Sequence, residues 1–314
     1  MTSNLDLGRF VQRRQFRSFE QDLARVTYAY GVDVRRFRWL NQSMTAQTFM
    51  RALELRWSAV AEGLMGGELQ VPEGAVTLPF LQEIVRIAEL LRATLPAVRV
   101  VTPSARDRWP LVTPLGNARG SDDWLVLDPT GLAVLSPPQR AFLLAQALGH
   151  IQCGHASLFM AHYVSHREHQ AHLALRLALR PFSRLAAFSA DRAGLLAAGE
   201  YAPAAEALVR SSEQLPAWYP TLAPLGERQR ALADFDHSRV VARVRSSRRF
   251  VQDHPSVHEL VDQIIHASEP IALPEGKTNT PEAPPPLAAG YEVPAEAWPL
   301  ARCDQRLTIR MGVL

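Results

Sequence analysis

The stretch SPPQRAFLLAQALGHIQCGH, residues 136–155, restricts the possible folds of this chain more than any other. Ser136 stands at an N-cap position, and Pro137 at the first helical position, where its fixed φ suits a helix and its missing N–H leaves no bond unmade. Phe142, Leu143, Ala147, Leu148 and Ile151 then present apolar surface that has to be covered by other elements. A helix of this kind belongs in a core. The chain, 314 residues with 47% hydrophobic content, is large enough to supply one.

Residues on either side divide into helical and extended pieces. Leu7, Phe10, Val11, Phe19, Leu23 and Val26 recur at three- and four-residue steps over 4–30, the stripe of an amphipathic helix. TAQTFMRALELRWSAVAEGL (45–64) continues the pattern, and PFLQEIVRIAELLRATL (79–95) predicts a helix that starts at Pro79 and ends before Pro96. The period then shortens. AVRVVT (97–102) and DWLVLD (123–128) predict two strands of a small sheet, separated by the turn-rich PLGNARGSDD. After the core helix, a helical region runs to about residue 200 with an interruption expected at Pro181, and further helix is expected at 202–211 and 226–266. Residues 268–299 are dense in proline and polar residues, which predicts a linker, and QRLTIRMGVL at the end predicts a terminal strand. The expected organisation is a helical N-terminal region (1–96), a central domain (97–267) and a proline-rich tail (268–314), an α+β fold that is predominantly helical.

Composition narrows the function classes. No run approaches the roughly 18 apolar residues of a membrane span, and MTSNLDLGRFVQRRQF contains no apolar core of a signal peptide, so the expectation is a soluble, cytoplasmic protein. The two cysteines, Cys153 and Cys303, are too few for a disulfide framework and are expected as free thiols. Net charge is +3, and Lys277 is the only lysine. Arginines cluster at Arg9, Arg13, Arg14 and Arg17, at Arg35, Arg36 and Arg38, and at Arg239, Arg243, Arg245, Arg248 and Arg249. Such clusters suit nucleic acid or an anionic membrane surface, but neighbouring acids and the small net charge favour solvated helix faces.

Three separated segments carry a resemblance. WLVLDPTGLAVLSPPQRAFLLAQALGHIQCGH (124–155), AFSADRAGLLAAG (187–199) and DHPSVHELV (253–261) occur in the order of a strand, a His-Glu-x-x-His helix, a Glu-x-x-Ala-Asp helix and a Thr-His-Pro-Pro-x-x-x-Arg-Ile segment. In this the chain resembles the HtpX-like and CAAX-prenyl-endopeptidase-like zinc metallopeptidases over about residues 97–266. The resemblance implies a zincin-like domain with a small sheet beside a former zinc helix. Carried over residue by residue, it places the first zinc ligand at Gln146, the general base at Ala147, the second ligand at His150 and the third at Ala187. The supporting aspartate falls at Asp191 and the transition-state histidine at His254, while the arginine six residues further on reads Leu260. The framework of Leu148, Gly149, Ala190, Asp191, Gly194 and Pro255 is kept; the groups that would touch zinc or water are not.

Metal chemistry sets the consequence. Catalytic zinc takes about three protein ligands and an open position for water, and a glutamine amide and an alanine cannot replace an imidazole and a carboxylate. Loss of the general base alone would cost about 10²- to 10⁴-fold in rate. The leading expectation is therefore a catalytically inactive, metallopeptidase-like protein without cofactor, acting as a protein- or peptide-binding or regulatory module. Its peptide site is expected along an edge strand, with Trp124, Leu125, Val126 and Leu127 as the pairing residues. A competing expectation is an atypical zinc endopeptidase with a rearranged site. Six of the ten histidines lie between 150 and 172, and His150, His155, His162, His166 and Asp191 are its candidate ligands, with 155, 162, 166 and 169 expected on one helical face. A third is a basic protein that binds nucleic acid or a membrane surface, for which LALRLALRPFSRLAAF (173–188) offers an amphipathic face.

Overall fold

The computed structural model describes residues 25, 27–72, 77–116, 123–167, 172–213, 215–235 and 300–311. These form ten helices and one four-stranded sheet. α1 (Gly31–Gln42) and α2 (Met44–Met65) lead into β1 (Leu69–Gln70) and α3 (Leu78–Leu91). β2 (Ala97–Val101), a 3-10 turn (Pro103–Arg108), β3 (Val112–Leu115) and β4 (Trp124–Leu127) follow, then the short α4 (Pro129–Ala133). The rest is helical: α5 (Pro137–Gln152), α6 (Ala156–Arg167), α7 (His172–Ala198), α8 (Tyr201–Glu213), α9 (Leu225–Ala233) and α10 (Leu300–Met311). The architecture is predominantly helical α+β.

α5 is the axis of the fold. It packs against α7, α8, α3 and β3, and from Ala141 to Ile151 every residue except Gln146 is buried. The Ser136 N–H donates to Gln139 Oε1 at 3.1 Å, closing the first turn as the sequence predicts. Its closest neighbour is α7, and small residues set that approach. A Cβ on Gly149 would stand 2.6 Å from Ala193 Cβ, and one on Gly194 would stand 2.7 Å from the Phe142 ring and 2.9 Å from the Phe142 carbonyl oxygen. Two glycines thus let the helices meet nearly backbone to backbone. Around the axis, Gln139 Nε2 donates to Glu206, Arg140 to Glu83, and Gln152 Nε2 to the Leu91 carbonyl, fastening α8 and α3.

The sheet runs β1-β2-β4-β3, with β2 and β4 parallel and both outer pairs antiparallel. β4 is therefore internal, bonded on both sides and buried at all four residues. This corrects the expectation that Trp124, Leu125, Val126 and Leu127 form an edge that receives a peptide; their main-chain groups are already paired. The edges are β1 and β3; β3 runs into the turn-rich sequence, and its Pro114 explains why it escapes a strand pattern. Proline is tolerated where the N–H would point away from the sheet. The Asp128 N–H bonds the Leu111 carbonyl, and antiparallel alternation then turns Val112 and Pro114 outward.

Other expectations shift for local reasons. Pro181 does not interrupt α7, which runs through it; Pro181 is exposed, so the carbonyl it leaves unbonded faces water. The break comes earlier, after α5. There the Gly154 and His155 N–H groups bond the Ile151 and His150 carbonyls at 2.9 and 2.8 Å with Gly154 at φ 79°, the left-handed helix ending that favours glycine. His155 consequently lies outside α6 and shares no helical face with His162 and His166. The expected C-terminal strand is the helix α10. Asp304 accepts from the Gly31 N–H at 3.0 Å and from buried Arg192 at 2.6 Å, and Leu307 and Cys303 are buried, so this helix is fastened to α1 and α7. The N-terminal stripe over 4–30 and the segment 236–299 lie outside the described residues, apart from Arg25 and 27–30.

Gly194→Ala is expected to force α5 and α7 apart at Phe142, destabilising the protein by about 1–3 kcal/mol. A lower urea midpoint at unchanged slope is the measurement that checks it.

Candidate functional site

The sequence-derived positions on α5 and α7 do come together in part. Gln146 Nε2 donates to Asp191 Oδ1 at 2.6 Å, joining the two helices across their contact. Asp191, 1% exposed, also accepts two bonds from one guanidinium: Arg228 Nε to Oδ2 at 2.8 Å and Arg228 Nη2 to Oδ1 at 2.6 Å. Arg228 comes from α9 and is itself buried. Its burial, which alone would lower its pKa, is outweighed by the Asp191 charge and hydrogen bonds, so the group is held as a cation. The bidentate geometry is the strong form of such a pair. Ala187, one turn before Asp191 on α7, and Ala147 on α5 are buried and bring no polar group.

Arg228 is the residue the sequence reading misses. A signal for it exists. Thr221, Pro224 and Arg228 have the spacing of the threonine, second proline and arginine in Thr-His-Pro-Pro-x-x-x-Arg-Ile, with Leu222 at the histidine position. The segment 253–261 has the His-Pro step and lacks the arginine, and His254 lies outside the described residues.

His150 faces elsewhere. Its Nδ1 is 3.1 Å from His155 Nδ1, its ring meets Phe159 edge-on at 4.9 Å, and it is 2% exposed. His155 Nε2 lies 3.2 Å from Asp33 Oδ2, and the Ser189 hydroxyl donates to that same oxygen while accepting from the Tyr30 N–H at 3.0 Å. The His155 Nε2–Asp33 approach is electrostatic, since its angle makes no hydrogen bond, and one of the two facing Nδ1 atoms of His150 and His155 donates to the other. Ser189, Asp33, His155 and His150 thus form a buried polar chain from α7 through α1 to α5. Ser189 is bonded to the carboxylate and not to an imidazole, so the chain has none of the order of a nucleophile and its base.

The remaining candidates do not converge. His162 is buried on α6 and His166 is half-buried at its end, while Asp191 is committed to Gln146 and Arg228. Among the described residues, no three His, Cys, Asp or Glu side chains are placed to hold a metal ion. Cys153 is buried at the end of α5, and burial together with the Asp33 charge raises its thiol pKa, away from thiolate chemistry. Cys303 donates to the Asp234 carbonyl. Beside Gln146 and Arg228 a cavity of about 20 Å³ remains, bounded by Leu111 and Val112 next to the edge strand and by Tyr219 and Leu222. It has room for about one water molecule.

No family model, no curated protein and no solved structure matches this chain. Among the described residues, no helix is long and apolar enough to cross a membrane.

Two outcomes follow from this geometry. Arg228→Met leaves the Asp191 carboxylate buried without its cation and is expected to cost roughly 3–5 kcal/mol, whereas Asp191→Leu with Arg228→Met removes both charges and costs less than the single change; urea unfolding of the three proteins measures the difference. Burial, His155 and the Arg228 charge hold the His150 pKa well below its ordinary value. The unfolded chain therefore binds more protons than the folded one below about pH 6.5. Stability is full above that pH and falls as the solution is acidified toward the lowered folded pKa. The contribution of this group is at most about 1.4 kcal/mol per pH unit, and His150→Gln is expected to flatten the slope of unfolding free energy against pH by up to that amount.

Proposed function

We propose that this protein is a non-catalytic relative of the zinc metallopeptidases it resembles, in which the former metal site has become part of the core and the protein acts by binding rather than by turnover. The observation that carries this reading is the closed Gln146–Asp191–Arg228 arrangement. A guanidinium supplies the positive charge beside Asp191 without a metal, and every strong bond of the site is made inside the protein. Arginine offers no open coordination position and holds no activated water, so neither a Lewis acid nor a metal-bound nucleophile is available from it. Ala147 removes the base and Ala187 the third ligand. The alanines sit in a buried helix contact where a carboxylate without a partner would be costly.

Strand addition at β4 is closed by its two neighbours, and β3 offers only a short edge in which Thr113, Pro114 and Leu115 are buried. Regulatory contact through the helical surface fits better than peptide capture beside α5. The alternative with a rearranged zinc site requires His150, His155, His162, His166 and Asp191 to share a centre, and only His150 and His155 are within hydrogen-bond distance of each other.

Protein purified without added metal is expected to contain no stoichiometric zinc and to leave unfolded casein uncut, with or without a chelator. Stoichiometric zinc together with chelator-sensitive cleavage would overturn the proposal. Gln146→His with Ala147→Glu and Ala187→Glu is expected not to restore zinc binding, read by metal analysis, because His150 is engaged with His155 and Phe159 and the Arg228 cation holds Asp191.

A further inference from the structure

An apolar groove of about 660 Å³ opens on the surface between the end of α1, α2 and the first half of α7. Met50, Leu53, Leu175 and Leu179 line it, and Trp39 stacks on Phe182 with ring centroids 6.4 Å apart. The apolar surface does not stop at these walls. On the same three helices, Trp39 is 64% exposed, Met44 83%, Leu55 82%, Leu173 71% and Leu177 60%. Lone exposed hydrophobics are ordinary, but this concentration around an apolar groove is the mark of an interaction surface.

Charge indicates what covers it. Residues 31–65 and 172–182 hold seven arginines against Asp33, Glu54 and Glu62, and Asp33 is buried. Arg176 is bonded to the Ala217 carbonyl and Thr221, which leaves the three helices with more exposed arginines than exposed acids. Arg38, Arg51 and Arg180 are exposed on the three helices. We propose that this face docks on an anionic phospholipid bilayer, with acyl chains meeting the groove and its apolar flanks while the arginines engage headgroup phosphates. Guanidinium and phosphate match in bidentate hydrogen bonding, and an indole such as that of Trp39 suits the boundary between headgroups and hydrocarbon.

Two other occupants fit less well. A single helix laid in the groove would cover its walls and leave Met44, Leu55, Leu173 and Leu177 in water, whereas a bilayer covers walls and flanks together. A second copy in a two-fold arrangement would set the same arginine-rich face against itself. Neither resolves both the apolar excess and the charge.

The test is co-sedimentation of the full chain with vesicles of phosphatidylcholine, pure or mixed with phosphatidylglycerol. Binding is expected only to the mixed vesicles, and it should weaken as salt is raised. Met44→Asp and Leu177→Asp, at exposed positions, are expected to reduce binding at least tenfold without changing thermal unfolding, and Arg38→Gln and Arg180→Gln about fivefold each. Absence of binding to mixed vesicles at low salt would overturn the proposal, as would binding that none of these substitutions alters. It would equally fail if sedimentation velocity showed a dimer that Leu177→Asp dissociates, or if an acidic amphipathic helical peptide bound the groove and mixed vesicles did not.

Discussion

The close approach of α5 and α7 is the constraint on which the rest of the structure depends. Gly149 and Gly194 leave out atoms that would hold the helices apart, since a Cβ at either place would meet Ala193 or Phe142 inside van der Waals distance. Gln146 reaches Asp191 only because of that approach. Asp191 then lies deep enough that it needs a cation, and α9 is fastened to the core by supplying one in Arg228. On the other side, Ser189 from α7 and His155 from the turn after α5 meet at Asp33 of α1. One contact between two helices therefore fixes the places of α9 and α1 through buried polar bonds.

Those bonds explain how a core so rich in polar groups is tolerated. A lone carboxylate as deeply buried as Asp191 would cost several kcal/mol, and a bidentate guanidinium offsets that cost in geometry as well as in charge. On the proposed reading, the chain exchanged an ion held by several side chains for a side chain of α9 held by one carboxylate. The exchange trades reactivity for connectivity. A metal centre keeps an open position and a wet approach, while the arginine closes the site with a covalent link to α9 and leaves room for about one water molecule.

The outer surface follows a different logic. α1, α2 and the start of α7 bury only part of their apolar residues, and Arg38, Arg51 and Arg180 are exposed on the same helices. Helices that served the core alone would show a single apolar stripe with polar residues opposite. Here apolar residues such as Met44 and Leu177 extend past the stripe, which separates this face from the rest of the molecule and places its role away from α5.

Much of the scaffold was legible in the sequence. Ser136 and Pro137 mark the start of α5, Pro79 marks the start of α3, and the change to short apolar runs marks β2 and β4, because these features depend on residues a few positions apart. The break after Gln152 and the continuity through Pro181 run against local expectation: the first depends on a left-handed glycine, the second on Pro181 facing water. β3 was hidden by its proline, and with it the fact that β4 is internal, since pairing order is a property of strands distant in sequence. That Gln146, Ala147 and Ala187 bring neither imidazole nor carboxylate is legible in the sequence. The partners of the buried carboxylates are not, because Arg228 lies 37 residues from Asp191 and Asp33 lies 156 from Ser189. Local geometry wrote the start of α5, the start of α3 and the strands β2 and β4 into the sequence. Only the tertiary structure decided which charge meets which, because a buried carboxylate takes its partner from whatever chain the packing brings within hydrogen-bond reach.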